Sequence, residues 1–211
     1  MAEAPQGKSL DRWSGDTIAP MDELLEPTDE RVRLACREFE AENAILERAL
    51  DELFRAYPAN TVEWQVLLKV VTLNRLYSTN ILDVHGIAKR ICESGPIIDA
   101  ALKAATPEIV DRIAKLGQKR IEYSFASKYC SRHRPDVYPI WDSRVRRYLL
   151  LLRSRAPLEF MGTNRYLWNE YREFVEMING LRAHYRLACS LKDLDKFLYT
   201  HGKEPDTKLV A

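Results

Sequence analysis

Glycine is scarce in this sequence, 8 residues in 211, and no stretch alternates β-branched and polar residues over the length of a strand. The pattern predicts no sheet; the many Leu, Ala, Glu and Arg predict an all-α fold of nine or ten helices. No apolar run approaches the roughly 20 residues that span a bilayer. The start Met1-Ala-Glu-Ala lacks the basic-then-apolar order of a signal peptide. The four cysteines, Cys36, Cys92, Cys130 and Cys189, are scattered without a CxxC pair. Zinc and iron–sulfur sites draw on clustered thiolates, so no metal and no cofactor is expected. Free thiols suit a reducing compartment, and the expected location is cytoplasmic.

Charge of one sign is missing overall, with 32 Lys and Arg against 31 Asp and Glu. The balance hides an asymmetry. Residues 1–60 carry fourteen acids and seven bases, whereas residues 115–155 carry eleven bases and three acids, a local balance of +8. Concentrated positive charge is an electrostatic footprint for a polyanion such as DNA.

The chain divides into an extended arm (residues 1–28), one helical domain (29–202) and a short tail (203–211). Thr28 caps a first helix that ends at Tyr57-Pro58. Asn60 or Thr61 opens a second, apolar on most faces, interrupted by polar residues around Asn74, Ser78 and Thr79. Asn80 or Asp83 starts the next, stopped at Ser94-Gly95-Pro96. Short helices over 97–105 and 107–116 lead to Gly117, a natural helix stop. Further helices are expected over 118–131 and 142–155, and from Thr163 or Asn164 to Met177, with Asn179-Gly180 as the stop. A last one begins at the capping-box pattern Ser190-Leu-Lys-Asp193.

Leu116-Gly117-Gln118-Lys119, Ser124-Phe-Ala-Ser-Lys128, Tyr138-Pro-Ile-Trp-Asp142-Ser-Arg-Val145 and the terminal Leu191-Lys-Asp-Leu-Asp-Lys-Phe-Leu-Tyr199 together resemble the helix-hairpin-helix DNA glycosylase superfamily. The similarity is to its 8-oxoguanine glycosylase-like branch, related to the archaeal enzymes. The hairpin departs from the family's Leu-Pro-Gly-Val-Gly in having one Gly. The resemblance implies two helical subdomains with a cleft between them. It also implies base-excision repair of damaged DNA: a hydrolase, with or without lyase activity, that flips a modified base, such as 8-oxoguanine, out of duplex DNA and cuts its N-glycosidic bond. The expected partner is double-stranded DNA carrying that base, bound by a monomer associated with the nucleoid. The rival expectation is a non-catalytic DNA-binding protein that keeps the fold.

Asp142 is the candidate catalytic carboxylate, because cleavage builds positive charge on the sugar; the bland alternative is a helix N-cap. Lys119, just after the Gly turn, and Lys128, in a mostly apolar setting, are candidate amine nucleophiles for a Schiff base. They stand nine residues apart on one expected helix, on opposite sides, so at most one serves. Gly117 is a candidate phosphate clamp, or a plain helix cap. Arg132, His133, Arg134, Arg144, Arg146 and Arg147 are candidate DNA-backbone contacts, or a solvated face. Trp141, Trp168, Phe197, Tyr199, Trp64 and Asn74 are candidates for a base pocket, although aromatics at helical spacing are more often core.

Overall fold

In the computed structural model, which describes residues 24–117, 120–156, 158–161 and 168–203, all regular structure is helical. The helices are α1 (Asp29–Ala56), α2 (Glu63–Leu76), α3 (Val84–Glu93), α4 (Gly95–Lys103), α5 (Glu108–Ala114), α6 (Tyr123–His133), α7 (Ser143–Arg155), α8 (Tyr171–His184) and α9 (Leu191–His201). A 3-10 turn at Glu159–Met161 precedes α8. None is long and apolar enough to cross a membrane.

The helix starts follow side-chain chemistry. Thr28 accepts from the Arg31 N–H, Asp83 from Gly86, Asp142 from Arg144 and Val145, and Ser190 from Asp193. Each satisfies backbone donors that the first turn leaves unpaired. Along α1 the buried face is Val32, Ala35, Leu50 and Phe54, which packs against α9 and α2. One buried core runs through the domain, from Val32 to Leu198.

Three expected boundaries move, each for a physical reason. Helix α2 starts at Glu63, because Asn60 is not a cap but a buried hub: it accepts from Lys69 Nζ (2.6 Å) and the Tyr129 hydroxyl (2.5 Å) and donates to Asp99 (2.7 Å). Helix α6 starts at Tyr123 rather than 118, since the chain turns after Gly117 and the Glu122 N–H returns to the Ala114 carbonyl (2.9 Å). A Cβ on Gly117 would lie 2.5 Å from the Arg120 carbonyl oxygen, so the turn needs glycine. Helix α8 runs through Asn179-Gly180 instead of stopping there. Gly180 is a contact point, where a Cβ would sit 2.7 Å from the Phe160 ring. The early start expected at Thr163 or Asn164 lies outside the described residues, as do most of the arm and of the tail. The arm's end at Leu24 and Leu25 is tied down by Arg155 (2.6 Å) and the Tyr148 hydroxyl (2.7 Å), which donate to its carbonyls.

Candidate active site

Between α6 and α7 the chain makes a turn over residues 135–137 and then crosses a segment without regular structure, residues 138–142, pinned at successive points. The Tyr171 hydroxyl of α8 donates to the Pro139 carbonyl. The Ile140 N–H donates to Asp195 Oδ2 of α9 (2.9 Å), and the Trp141 N–H to Ser127 Oγ of α6 (3.0 Å). Buried Ser127 and Asp195 thus satisfy backbone groups that would otherwise be orphaned. The pinning fixes the next residue, Asp142. Its Oδ1 accepts from both Arg144 and Val145 N–H at 3.0 Å, and its Oδ2 lies 3.2 Å from Lys128 Nζ. The two side chains are only 9% and 6% exposed, so this is a buried ion pair. Lys128 also donates to Ser124 Oγ (2.9 Å) and stands 5.6 Å from the centre of the Tyr77 ring.

The pair opens onto a pocket of about 620 Å³, its open mouth included. Phe39, Tyr77 and Tyr199 supply aromatic walls; Glu47, Asp51, Arg132, Lys192 and Lys196 supply charge; Asp195 stands beside Asp142. Arg132 is a structural member of the wall: its side chain is 5% exposed and bridges Glu47 and Asp51, with Tyr77 in contact. Burial pushes the pKa of Asp195 well above the usual carboxylate range, and the Asp142 charge pushes the same way; the Ile140 N–H and Lys128 oppose them.

The structure therefore brings Asp142, Lys128, Tyr199 and Arg132 to one pocket, with Arg144 over the Tyr199 ring, and leaves the other described site candidates outside its lining. Lys119 lies outside the described residues. Arg132 is committed to acids, so it is no free DNA contact. His133 is none either: its ring packs against Phe54 (5.0 Å) and Tyr129 (5.3 Å), and burial holds its pKa down at about 3. Arg134 forks onto Asp136 at 3.0 and 3.1 Å, and Arg144 lies over the Tyr199 ring at 4.2 Å. Arg146 and Arg147 are half-buried on α7, and Gly117 sits at the turn between α5 and α6.

The expected base pocket needs correction. Trp141 packs edge-on against Trp168 and Phe174, and Trp168 lies tilted on Phe174, in a core cluster that does not line the pocket. Phe197 is fully buried against Tyr148. Trp64 is 57% exposed on α2, against Tyr57. Asn74 is a turn-holding residue. Its amide bonds Thr79 Oγ1 (3.0 Å) and the Ile81 N–H (2.9 Å) and carbonyl (3.2 Å). This clamps a turn in which Ser78 (φ 50°) and Asn80 (φ 56°) take the left-handed conformation and from which Tyr77 reaches the pocket. Asn74 thus serves the site at one remove.

Sequence reasoning missed Phe39, Glu47, Asp51, Tyr77, Lys192, Lys196 and Asp195. Only Asp195 carried a signal. It falls in step with Leu191 and Leu198 on the apolar face of the last helix, where a lone acid needs a reason. Among the described residues, no group of three or more His, Cys, Asp or Glu is placed to hold a metal ion, and the four cysteines are free thiols.

Residues 30–137 match the family model described as HI_0787_N, N-terminal domain. The chain is also 35% identical over 134 residues to an uncharacterized protein of Haemophilus influenzae, across 62% of this chain. It spans 63% of the length of that curated relative. No solved structure matches it.

Proposed function

The chain belongs to the HI_0787_N family, and for this member we propose a DNA glycosylase that excises a modified base from duplex DNA. One observation carries the proposal: a lysine amine and a carboxylate 3.2 Å apart, both buried, on the wall of a pocket with aromatic sides. N-glycosidic cleavage needs a fixed negative charge near the sugar as it becomes cationic, and Asp142 supplies it. Its second oxygen is held by two backbone N–H groups, so the carboxylate is oriented before substrate arrives.

Lys128 is the nucleophile in this reading. Asp142 relays one ammonium proton to the departing base and is a carboxylate again as the sugar becomes cationic, while the neutral amine forms a bond to the sugar C1′ as the N-glycosidic bond breaks. The electron pair of that bond stays on the base, which leaves with the proton from Asp142. Transfer of a further proton from the new secondary ammonium to the sugar O4′ opens the ring and gives the protonated Schiff base from which a lyase step proceeds. The extruded base lies among Phe39, Tyr77 and Tyr199, since flipped bases are held by stacking. By resemblance the substrate is an oxidised purine such as 8-oxoguanine. The α5–Gly117–α6 turn supplies the hairpin that clamps phosphate, and Arg144, Arg146 and Arg147 supply salt-dependent affinity. The remaining parts of the proposal are two helical subdomains flanking the pocket, a monomer in solution and association with the nucleoid.

The same contacts favour one rival. Asp142 already caps α7 and Lys128 already has a partner, as both would in a non-catalytic DNA-binding scaffold. Borohydride trapping and base release on duplexes carrying single modified bases separate the two. The glycosylase reading expects both with the wild type, no trapping with Lys128→Gln, and no release with Asp142→Asn. Salt-sensitive DNA binding without base release from any duplex establishes the scaffold instead.

A further inference from the structure

Lys128 carries its amine at the end of a long flexible stem, and a nucleophile has to be held within reach of one atom. Two acceptors hold it, and they come from different elements. Asp142 Oδ2 approaches from the cap of α7 at 3.2 Å, and Ser124 Oγ from one turn earlier on α6 itself, at 2.9 Å. The serine contact is the shorter. On another side Nζ stands 5.6 Å from the centre of the Tyr77 ring, an aromatic wall of the pocket. Ser124 is half-buried, and the cap position of its helix is Glu122, so the hydroxyl is not needed to start α6.

The two acceptors respond differently when Lys128 gives up a proton. While the side chain is an ammonium, the Asp142 charge dominates, since opposite charges attract strongly out of water. Once the proton has left through Asp142, that attraction is gone and the carboxylate no longer holds the nitrogen. Ser124 does not depend on the charge. A neutral amine keeps N–H groups, and the hydroxyl oxygen still accepts from one of them.

Resting on the glycosylase reading, we propose that Ser124 is a positioning residue for the Lys128 nucleophile, its hydroxyl tethering the amine after the proton has gone and while the bond to C1′ forms. The contact joins residues four apart on one helix, so tether and nucleophile share one rigid support. Ser124 itself gains and loses no proton. The proton still runs from the ammonium through Asp142 to the departing base, and the serine fixes only where the nitrogen waits.

The test is Ser124→Ala, which the fold tolerates because Ala is the better helix former, so the urea midpoint does not fall. Borohydride trapping is followed in single turnover on a duplex carrying 8-oxoguanine. The trapping rate falls about five- to tenfold, the worth of one hydrogen bond. The trapped endpoint, and the affinity for a duplex carrying 2′-fluoro-8-oxoguanosine, which resists cleavage, stay within about twofold of wild type, because folding and binding do not use the hydroxyl. Ser124→Thr keeps the hydroxyl and recovers the rate. A wild-type rate in Ser124→Ala, a loss shared by endpoint or affinity, or no recovery with threonine overturns the proposal. A second arm needs no DNA. Nitrogen-15 NMR follows solvent exchange of the Lys128 ammonium protons, assigned by their absence in Lys128→Gln. Exchange at least about fivefold faster in Ser124→Ala supports the tether, and unchanged exchange overturns it. Wild type that neither traps nor releases a base from any modified duplex overturns the glycosylase reading instead, and the exchange arm still decides whether Ser124 holds the amine.

Discussion

Replacing Asp142 by Asn isolates the buried charge from everything else that side chain does. The amide oxygen still accepts from the Arg144 and Val145 N–H groups, both 3.0 Å away in the wild type. The helix cap, worth about 1 kcal/mol, is retained because Asn caps as well as Asp. What disappears is the negative charge 3.2 Å from a Lys128 ammonium whose side chain is 6% exposed. Breaking one partner of a buried pair costs about 3–5 kcal/mol, since the survivor is left uncompensated. At about 2–4 °C per kcal/mol for a chain of this size, the midpoint falls by roughly 6–20 °C. Lys128→Met in the same background removes the stranded ammonium and recovers about 1–3 kcal/mol relative to the sum of the single changes. Urea denaturation of the four proteins gives the cycle, and repeating it in 1 M salt leaves the coupling largely intact, as burial limits screening. An Asp142→Asn protein within about 1 kcal/mol of wild type, or single costs that simply add, refutes the buried-pair account.

Three further expectations concern other parts of the structure. His133 is held neutral, its pKa pushed from 6.5 to about 3 by burial. Its contribution is complete above pH 6.5 and is lost as pH falls toward 3, so the wild type loses roughly 2–3 kcal/mol more than His133→Phe between pH 7 and pH 4; coincident acid limbs in urea titrations contradict this. Gly117→Ala places a Cβ 2.5 Å from a backbone carbonyl oxygen and costs about 1–3 kcal/mol in the same assay, whereas an unchanged midpoint means the turn is looser than described. Under the glycosylase proposal, Arg146→Gln lowers the slope of log affinity against log salt for duplex DNA by about 1, and an unchanged slope takes Arg146 off the phosphate contacts.

The helical architecture was legible because caps and apolar periods are local signals, as at Thr28, Asp142 and Ser190. Asp142 and Lys128 stood out because each lay in a short motif with a chemical reason for its residue type. The pocket did not stand out. Phe39, Tyr77 and Tyr199 meet across α1, the turn after α2, and α9, and no local pattern encodes that meeting. Tryptophans mislead for a related reason: Trp141 adjoins Asp142 in sequence, yet the chain turns its ring away into the Trp168–Phe174 cluster. The arginine cluster misled because charge counting ignores acids brought in from elsewhere, and Glu47 and Asp51 of α1 neutralise Arg132 from more than eighty positions away. Lys69, buried at 0% exposure and bonded to the Ala59 carbonyl (3.0 Å) and Asn60, was hidden by the apolar helix around it.

The segment ahead of α7 is held from behind, by Tyr171 and Asp195, which are translated 29 and 53 residues after Asp142. A nascent chain that has already emerged through α7 owns both partners of the ion pair but none of the downstream tethers that orient them. The orientation of the pair is therefore completed late, when α9 docks behind α8. A truncated product lacking α9 retains the family-matching region and the lysine but loses the Asp195 tether.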